Sequence, residues 1–489
     1  MACNLADHVR NYQAFLSITD PIPERLSMAL TKIGDYVNSV VNSTAQLPAI
    51  SVNIFYQNRT LWSSHYGSKD YKGENRPNDQ TVYRIGSITK VFVVLMVYKF
   101  YEDGLIYSLD DPLSKYVPEF YIQNPYTNGN VTIRQIMSQM SGLPREAPCF
   151  YICNTTSAEQ LQLLKNRSLV MPPGTMPSYS NLGYALLGRL LPEKLLRNQT
   201  FEGWVSERIL KPLHMTNTGF EITEGVQQNM AFPHVEDGSR MPFMTIYWIA
   251  PAGQMYSTLE DLTKLSRIFT QPSKQTLLRP ASLWEIMSPV NVAPDGFTLW
   301  GAPWETQLLE HYVVRGKGGS IDSYTGFFTV VPELQLGMNL LISSNTFMKP
   351  GVTPKMTHDI YKILLPVINQ TLFDLEGSSK FPDPTPYVGS YTVNITNVIT
   401  SEITTVSVQV TAKDDVLVVR FYNPILPDFH VLYIGNKFIF QARFAPPFAS
   451  CLVERLGSYE DFYFFSFNEN GVSTGFKIPG RAMEATRIF

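Results

Sequence analysis

Ser87 and Lys90 stand three residues apart at the start of a strongly apolar segment, and together they could form a nucleophile and its base. Every side chain from Val91 to Tyr98 is apolar or aromatic, which predicts a helix buried on all sides. Residues three apart on a helix share a face, and burial lowers the pKa of a lysine. A neutral lysine amine can then take the proton of a serine hydroxyl and activate it.

The position of Ser87 at the N-terminus of this helix adds a second chemical feature. Backbone N–H groups there have no partner within the helix and favour a developing oxyanion. An alternative needs no chemistry: Ser87 caps the helix and Lys90 extends its amine to water. Because Ser-x-x-Lys is expected about twice by chance in a chain of this length, the burial of Lys90 decides between the two.

A second candidate segment is Tyr179-Ser180-Asn181, in the sequence PPGTMPSYSNLGYALLG, directly before another apolar helical pattern. Its alternative interpretation is structural. Ser180 or Asn181 would cap the following helix, and Tyr179 would be a packed aromatic residue.

A third candidate segment is Lys317-Gly318-Gly319-Ser320, in VVRGKGGSIDSYTGFF. Two glycines beside a lysine at a strand edge allow a ligand to approach the backbone closely. The alternative is a glycine-rich turn without a ligand.

The three segments occur in the order Ser-x-x-Lys, Tyr-x-Asn and Lys-x-Gly, and their first residues are 92 and 138 positions apart. This combination resembles the serine β-lactamase and penicillin-binding-protein superfamily. The closest resemblance is to class C β-lactamases, related D-alanyl-D-alanine carboxypeptidases and carboxylesterases, and animal β-lactamase-like proteins. Flanking sequences agree with it, including YRIGSITKVF, LDDPLSKYVPEF, VTIRQIMSQMSGLP, PAGQMYSTLEDLTKL and DSYTGFFTVVPEL.

The resemblance covers about residues 45–365 and implies an α/β (α+β) fold of the β-lactamase/transpeptidase type. Such a fold has an antiparallel sheet flanked by helices and a helical region. The C-terminal part resembles, more weakly, an all-β appendage that some members carry.

The resemblance also implies a catalytic role for each matching residue. Ser87 would be the acyl-accepting nucleophile and Lys90 its proton acceptor. Tyr179, as a phenolate or hydrogen-bond relay, would carry the proton to the leaving group in the positive field of Lys90 and Lys317. No metal or other cofactor is implied.

Substrate binding would fall to the second and third segments. Asn181 would hold the acyl-side amide of the substrate, and residues 317–320 would line the cleft. The N–H groups of Ser87 and Ser320 would form the oxyanion hole. One position departs from the family pattern: the middle of the Lys-x-Gly triplet is often Thr, whose hydroxyl contacts a substrate carboxylate, but here it is Gly318. This weakens the expectation of β-lactam or D-Ala-D-Ala recognition more than that of acyl transfer.

These roles predict a serine hydrolase that forms an acyl-enzyme on Ser87 and cleaves an ester or amide bond of a small molecule or peptide. A glycosylated animal-type member has no cell wall to process, so we expect peptidase, amidase or esterase activity and slow or absent β-lactam turnover. The competing hypothesis is a non-catalytic protein that keeps the fold for binding or assembly. The presence of all the catalytic side chains argues against it.

Hydrophobic patterns divide the chain into three parts. Residues 1–44 are an N-terminal segment with a leading helix, and 45–375 are the β-lactamase-like domain with strand hairpins near both ends. Residues 387–489 read as short strands of a small barrel or sandwich. Within the central part, Ser257 lies three residues before Glu260, which predicts a capping box at the start of a helix.

Composition limits the partners. A net charge of −3, from 39 basic and 42 acidic residues without a basic cluster, argues against nucleic acid. No segment approaches the roughly 18 consecutive apolar residues typical of a membrane span.

Eight sequons exceed a chance expectation of about four and predict a secreted or secretory-pathway glycoprotein, although no signal peptide is evident in the first residues. They begin at Asn42, Asn58, Asn130, Asn154, Asn166, Asn198, Asn369 and Asn394.

The four cysteines do not have the spacing of a structural zinc site. Cys149 and Cys153 are close enough for a small-loop disulfide, which suits an oxidising compartment. Cys3 and Cys451 have no evident partner. By the resemblance, the segment PREAPCFYICNTT would lie near the cleft, and we expect it to shape the pocket with Cys149 and Cys153 bridged.

Overall fold

The structure is a computed structural model. It describes residues 21–488 apart from 44–48, 58, 127–128, 150–153, 198, 235–237, 275–276, 294, 296–297, 311, 346–351, 379–382, 397–399, 414–415, 423–427, 437–438, 445–461 and 482. The chain divides into two compact units, one of residues 19–367 and one that includes residues 368–489.

The α-helices of the described residues are α1 (Glu24–Ser43), α2 (Thr89–Glu102), α3 (Leu113–Tyr116), α4 (Ile133–Met137), α5 (Ser157–Leu164), α6 (Asn181–Leu195), α7 (Phe201–Val205), α8 (Glu224–Gln227), α9 (Leu259–Thr270), α10 (Pro280–Met287) and α11 (Val352–Ser378). Within the described chain, no helix combines the length and apolar character needed to cross a membrane.

The strands of the first unit are β1 (Ala49–Tyr56), β2 (Arg59–Gly67), β3 (Tyr83–Arg84), β4 (Tyr256–Ser257), β5 (Asn291–Val292), β6 (Thr298–Trp300), β7 (Glu305–Leu309), β8 (Tyr312–Ile321), β9 (Tyr324–Val331) and β10 (Leu336–Ser343). Those of the second unit are β11 (Gly389–Thr396), β12 (Ile403–Lys413), β13 (Val416–Phe421), β14 (Phe429–Asn436), β15 (Ile439–Phe444), β16 (Phe462–Phe467), β17 (Ser473–Ile478) and β18 (Met483–Ile488).

The first unit is built on an eight-stranded sheet in the order β2-β1-β10-β9-β8-β7-β6-β5, and the neighbouring strands pair antiparallel. The predicted hairpins are β1–β2 and β9–β10. Every residue of β1, β9 and β10 is buried, because helices cover both faces of the sheet.

Two contacts show how the helices divide between the faces. Thr263 of α9 accepts a hydrogen bond from the Asn339 side chain of β10, whereas Tyr361 of α11 bonds to Thr329 of β9. Thr329 pairs with Met338, the neighbour of Asn339, and successive strand residues point to opposite faces. Helices α9 and α11 therefore lie on opposite sides of the sheet, which confirms the predicted fold class.

Helix α2 is the buried centre of the helical region. All residues from Thr89 to Tyr98 are buried, as the unbroken apolar run predicts. The helix packs against α6 and α7.

The second unit contains the predicted all-β domain, and its eight strands β11–β18 close into a barrel. Aromatic side chains occupy its core: the ring of Tyr387 lies 5.1 Å from that of Phe440 and 5.3 Å from that of Phe465, centroid to centroid. Between the barrel and the sandwich that the sequence left open, the structure selects the barrel.

The capping box predicted at Ser257 is wrong by one residue. Thr258 is the N-cap of α9, and its hydroxyl accepts a hydrogen bond from the N–H of Asp261 at 3.2 Å. Ser257 instead ends β4, where it pairs with Tyr83. Because Ser257 belongs to β4, the helix is capped by the next hydroxyl residue, Thr258.

A close approach of two backbones joins the sheet to the start of α2. A Cβ on Gly319 of β8 would lie 1.9 Å from the carbonyl oxygen of Ile85 and 2.9 Å from the backbone N of Ser87. A Cβ on Gly86 would lie 2.6 Å from the backbone N of Ser320. The two glycines therefore let β8 lie directly against the turn that carries Ser87.

Gly319→Ala should lower the free energy of unfolding by about 3 kcal/mol, the upper end of the usual range for overpacking, because both backbones would have to move apart. Urea denaturation followed by tryptophan fluorescence measures the change. Gly129→Ala is the control, since a Cβ there has no neighbour within 4 Å, and it should stay within about 0.5 kcal/mol of the wild type. Equal stability of the two variants would contradict the close approach.

Candidate active site

Ser87 lies in the 3₁₀ turn Gly86–Ile88 that leads into α2, and Lys90 follows it by one turn. The Lys90 Nζ is 2.9 Å from the Ser87 Oγ. Lys90 is 0% exposed, whereas Ser87 is half-buried, so the hydroxyl but not the amine can be reached from outside. No side chain caps either the turn or α2. The alternative of a capping serine and a solvent-exposed lysine is therefore wrong.

Besides Ser87 and the Tyr179 phenol, the Lys90 amine contacts two carbonyl oxygens. Its Nζ donates to the Oδ1 of Asn181 at 2.7 Å and to the main-chain oxygen of Ala252 at 2.7 Å. Carbonyl oxygens only accept, and a neutral amine has two N–H groups and one lone pair. In the neutral form both N–H groups are thus used, and the lone pair is left for the proton of Ser87.

Burial lowers the pKa of Lys90 below its ordinary value; the Tyr179 phenol opposes this and the charge of Lys317 adds to it. The surroundings therefore favour the neutral amine that a general base requires.

Tyr179 lies between the two lysines. Its ring centroid is 4.9 Å from the Nζ of Lys90 and 5.3 Å from the Nζ of Lys317. Burial raises the pKa of the phenol, but the charges of Lys317 and Lys90, with a hydrogen bond from Ser87, more than offset it, so the pKa lies below its ordinary value. A phenol of this kind, in contact with Ser87, can relay a proton.

Asn181 is the first residue of α6, and Ser180 before it is the N-cap, accepting a hydrogen bond from the N–H of Gly183 at 3.0 Å. The capping interpretation is correct for Ser180, whereas Asn181 reaches the site. Its Oδ1 accepts from Lys90, and its Nδ2 donates to Glu146 at 2.9 and 3.1 Å. Asn181 thus orients the lysine amine, and a substrate amide would compete with Glu146 for its N–H groups.

Lys317 of β8 is 1% exposed and is held by an acidic partner. Its Nζ donates to the Oε1 of Glu305 at 2.6 Å and to the main-chain oxygen of Gly318 at 2.8 Å. Burial lowers the pKa of this lysine, but Glu305 and Tyr179 outweigh that effect and raise it above its ordinary value. The pKa values of the two lysines are therefore shifted in opposite directions, that of Lys317 upward and that of Lys90 downward.

Glu305 is a site residue that the sequence did not reveal. It stands in GAPWETQLLE, where no motif marks it. Only the pairing of β7 with β8, which sets Glu305 opposite Gly316, brings its carboxylate to Lys317.

The predicted oxyanion-hole residues meet at the junction of β8 and the Ser87 turn. The close approach at Gly86 and Gly319 brings the backbone N atoms of Ser87 and Ser320 into the same small region. An oxyanion hole requires two N–H donors aimed at one point, so the assignment of these two groups stays a prediction.

A cavity of about 540 Å³ opens beside Ser87, and the three predicted segments share its wall. Apart from Lys90, which lies behind Ser87, every predicted site residue lines it: Ser87, Tyr179, Asn181, Lys317, Gly318, Gly319 and Ser320. Apolar lining residues include Met244, Ile246, Ile249, Ile321 and Pro354. Among the described residues, no group of three or more His, Cys, Asp or Glu side chains is placed to hold a metal ion.

The segment that follows Pro144 contributes to the pocket. Arg145 lines the cavity, and its guanidinium lies 5.0 Å from the ring centroid of Tyr179. Cys149 is disulfide-bonded. Cys153 lies outside the described residues, so its pairing with Cys149 stays a prediction.

The family model described as Beta-lactamase matches residues 20–358. The chain belongs to the beta-lactamase family. It is 33% identical over 386 residues to the human protein beta-lactamase-like 1, covering 77% of this chain and 76% of that protein. It is 31% identical over 394 residues to beta-lactamase-like protein 2 of Dictyostelium discoideum, covering 78% and 70%.

This beta-lactamase family member also matches a solved structure. The octameric penicillin-binding protein homologue from Pyrococcus abyssi superposes with a TM-score of 0.60, covering 90% of this chain and 97% of that chain. At 19% identity the match shows the fold alone. The family model and the relatives at 33% and 31% identity confirm the superfamily that the three motifs resemble.

The rate at which a fluorophosphonate modifies Ser87 should rise with pH, because the proton acceptor must first lose its own proton. Since burial lowers the pKa of Lys90, the half-maximal rate should fall below the pH at which an exposed lysine titrates. Lys90→Gln should remove this rise, whereas Lys99→Gln, whose lysine pairs with Asp103 near the other end of α2, should keep it. Stopped-flow or quenched labelling across pH measures the rate for each variant. If the rate of Lys90→Gln still rises with pH, Lys90 is not the group whose deprotonation causes the rise.

Proposed function

We propose that this beta-lactamase family member is a serine hydrolase that forms an acyl-enzyme on Ser87 and cleaves an ester or amide bond. The observation that carries the proposal is the Lys90 amine, 0% exposed and 2.9 Å from the Ser87 hydroxyl, with two carbonyl oxygens and the Tyr179 phenol as further partners. An isolated amine in an apolar core is destabilising, so packing alone gives no reason for it.

The proposed reaction begins when the Ser87 Oγ attacks the substrate carbonyl carbon and its proton passes to the neutral Lys90 amine. The N–H groups of Ser87 and Ser320 receive the oxyanion. As the bond to the leaving group breaks, Tyr179 gives its phenolic proton to the departing oxygen or nitrogen, and the Lys90 ammonium returns a proton to Tyr179. Water then attacks the acyl carbon and gives a proton to the neutral Lys90 amine. The ester bond to Ser87 breaks, the acid leaves, and Lys90 returns the proton to the Ser87 oxygen.

General magnitudes indicate what each part would contribute. A positioned proton acceptor accelerates such steps by about 10²–10⁴-fold, and each oxyanion donor contributes about 3 kcal/mol. The apolar side of the cavity, with Ile246, Ile249 and Ile321, supports an acyl group or peptide side chain of apolar character.

One observation favours the alternative, a non-catalytic binding protein. Glu146 accepts from the side-chain amide of Asn181, and Glu305 accepts from the amine of Lys317. Two of the groups assigned to the substrate are therefore already engaged. A protein that only binds its ligand does not need the Asn181 amide and the Lys317 amine for a substrate, whereas the proposed hydrolase uses both.

Incubation with a fluorophosphonate should place one phosphonyl group on Ser87, located by mass spectrometry of proteolytic peptides. Ser87→Ala should abolish the adduct, and Lys90→Ala should slow its formation by about 10²-fold or more. Lys99→Ala removes a lysine from the same helix outside the site and should leave the rate unchanged.

The outcomes separate the two functions. A folded protein whose Ser87 remains unmodified at high probe concentration would support the binding protein. If Lys90→Ala is modified at the wild-type rate, Ser87 is reactive but Lys90 is not its base.

We further propose that the chain is a glycoprotein of the secretory pathway. Five of the six sequon asparagines within the described residues are exposed, and the sixth, Asn369 in α11, is half-buried. Bonded Cys149 also suits an oxidising compartment. The exposed five are Asn42, Asn130, Asn154, Asn166 and Asn394.

Expression through the secretory pathway of an animal cell should give a product whose mass falls on treatment with an N-glycosidase. Replacing the five exposed asparagines by Gln should remove most of that fall, because glycans are attached at accessible sites. A product of unglycosylated mass would contradict the assignment.

A further inference from the structure

Glu305 carries a carboxylate into the cleft beside the lysine assigned to substrate binding. Its Oε1 accepts from the Nζ of Lys317 at 2.6 Å, and its Oε2 accepts from the N–H of Gly318 at 3.2 Å. The Glu305 side chain is 27% exposed and that of Lys317 only 2%. Of the pair, the carboxylate is therefore the group that a ligand in the cavity meets first.

Glu305 stands where a side chain at position 318 would extend. A Cβ on Gly318 would lie 3.3 Å from the Oε2 of Glu305 and 3.2 Å from the ring of Phe327. A threonine hydroxyl at this position would need the space that the carboxylate occupies. Gly318 has no side chain, and Glu305 fills the space that one would take. Where a threonine hydroxyl could donate to a substrate carboxylate, the cleft instead presents the Glu305 carboxylate, which can only accept.

The other charges around the cavity do not offset this acceptor. Arg145 pairs with Glu146, whose Oε1 lies 3.3 Å from the arginine Nε. Asp322 pairs with Arg84. Among the described residues that line the cavity, each charged side chain thus has a partner of opposite sign, and an incoming carboxylate would meet no cation that lacks one.

Glu305 keeps capacity for a further hydrogen bond. A carboxylate has about four lone-pair sites, and the bonds from Lys317 and Gly318 use two of them. The remaining sites suit an N–H donor or an ammonium group. A ligand carboxylate in the same place would face charge repulsion in a partly desolvated cleft.

We propose that Glu305 makes the cleft select substrates that present an amide N–H or an ammonium group, and not a free carboxylate, beside Lys317. The inference rests on the proposed hydrolase function and names its substrate class: neutral or cationic esters, amides or peptides without a terminal carboxylate at this point. Glu305 is a specificity-determining residue in this proposal, and Ser87 remains the nucleophile.

The first test uses three fluorophosphonates with the same short alkyl arm, ending in an ammonium, a carboxamide or a carboxylate. The wild type should react with the carboxylate probe at least tenfold more slowly than with the carboxamide probe, with the ammonium probe at least as fast as the carboxamide. Glu305→Gln should reduce the tenfold difference to less than threefold, because it keeps the size and removes the charge.

Glu333→Gln is the matched control. Glu333 pairs with Arg315 of the same strand β8 at 2.9 Å and does not line the cavity. The variant changes the net charge by the same amount and should keep the wild-type ratio of the three rates. An equal change in Glu333→Gln would assign the effect to overall charge and overturn the proposal, as would a wild type that prefers the carboxylate probe.

A second test does not require chemistry. In Ser87→Ala, calorimetry should show that an N-acetylated apolar dipeptide binds at least fivefold more tightly as its C-terminal amide than as its free acid. The ratio should approach one in Ser87→Ala/Glu305→Gln. Equal or tighter binding of the free acid, or no binding of either peptide, would overturn the proposal. If none of the three probes labels the wild type while this binding preference holds, the proposed hydrolase function is overturned and the proposed specificity of the cleft stands.

Discussion

The buried amine of Lys90 is the contact on which the cleft depends. It joins the turn that carries Ser87, the start of α6 through Asn181, and the turn Ala250–Ala252 through a main-chain oxygen. In an apolar core an amine is tolerated only when its hydrogen bonds are satisfied. The amine thus holds three distant segments together, and its burial among them lowers its pKa.

The second constraint is the position of β8 in the sheet. One neighbouring strand, β9, belongs to the rigid buried centre, and the other, β7, supplies Glu305. Because Gly319 permits backbone contact with the Ser87 turn, the same strand also brings Ser320 and Lys317 to Ser87. A fold of this kind supports many reactions, so what this cleft accepts depends on the residues that line it, among them Glu305 and Gly318.

The sequence was sufficient for those features that depend on local pattern. The unbroken apolar run after Lys90 predicted the burial of α2 but left open whether the lysine amine is buried or extends to water. Strict alternation predicted the C-terminal strands. Helix capping was predicted less accurately, since Ser257 and Thr258 are both suitable caps and only the pairing of β4 with β3 selects the second. Glu305 had no local signal, because its role arises from strand register, which a single sequence does not specify.

The pairing of β1 with β10 has a consequence for how the chain is made. Ala49 lies opposite Ser343 in this pair, so β1 meets this neighbour only after nearly three hundred further residues have been synthesised. Contacts of such long sequence separation form slowly, and until then one edge of the β1–β2 hairpin is unpaired. On the ribosome, α2 and the Ser87 turn are complete well before β8 exists. The nascent chain therefore carries Ser87 through the synthesis of more than two hundred further residues before the strand that would form the rest of the cleft begins.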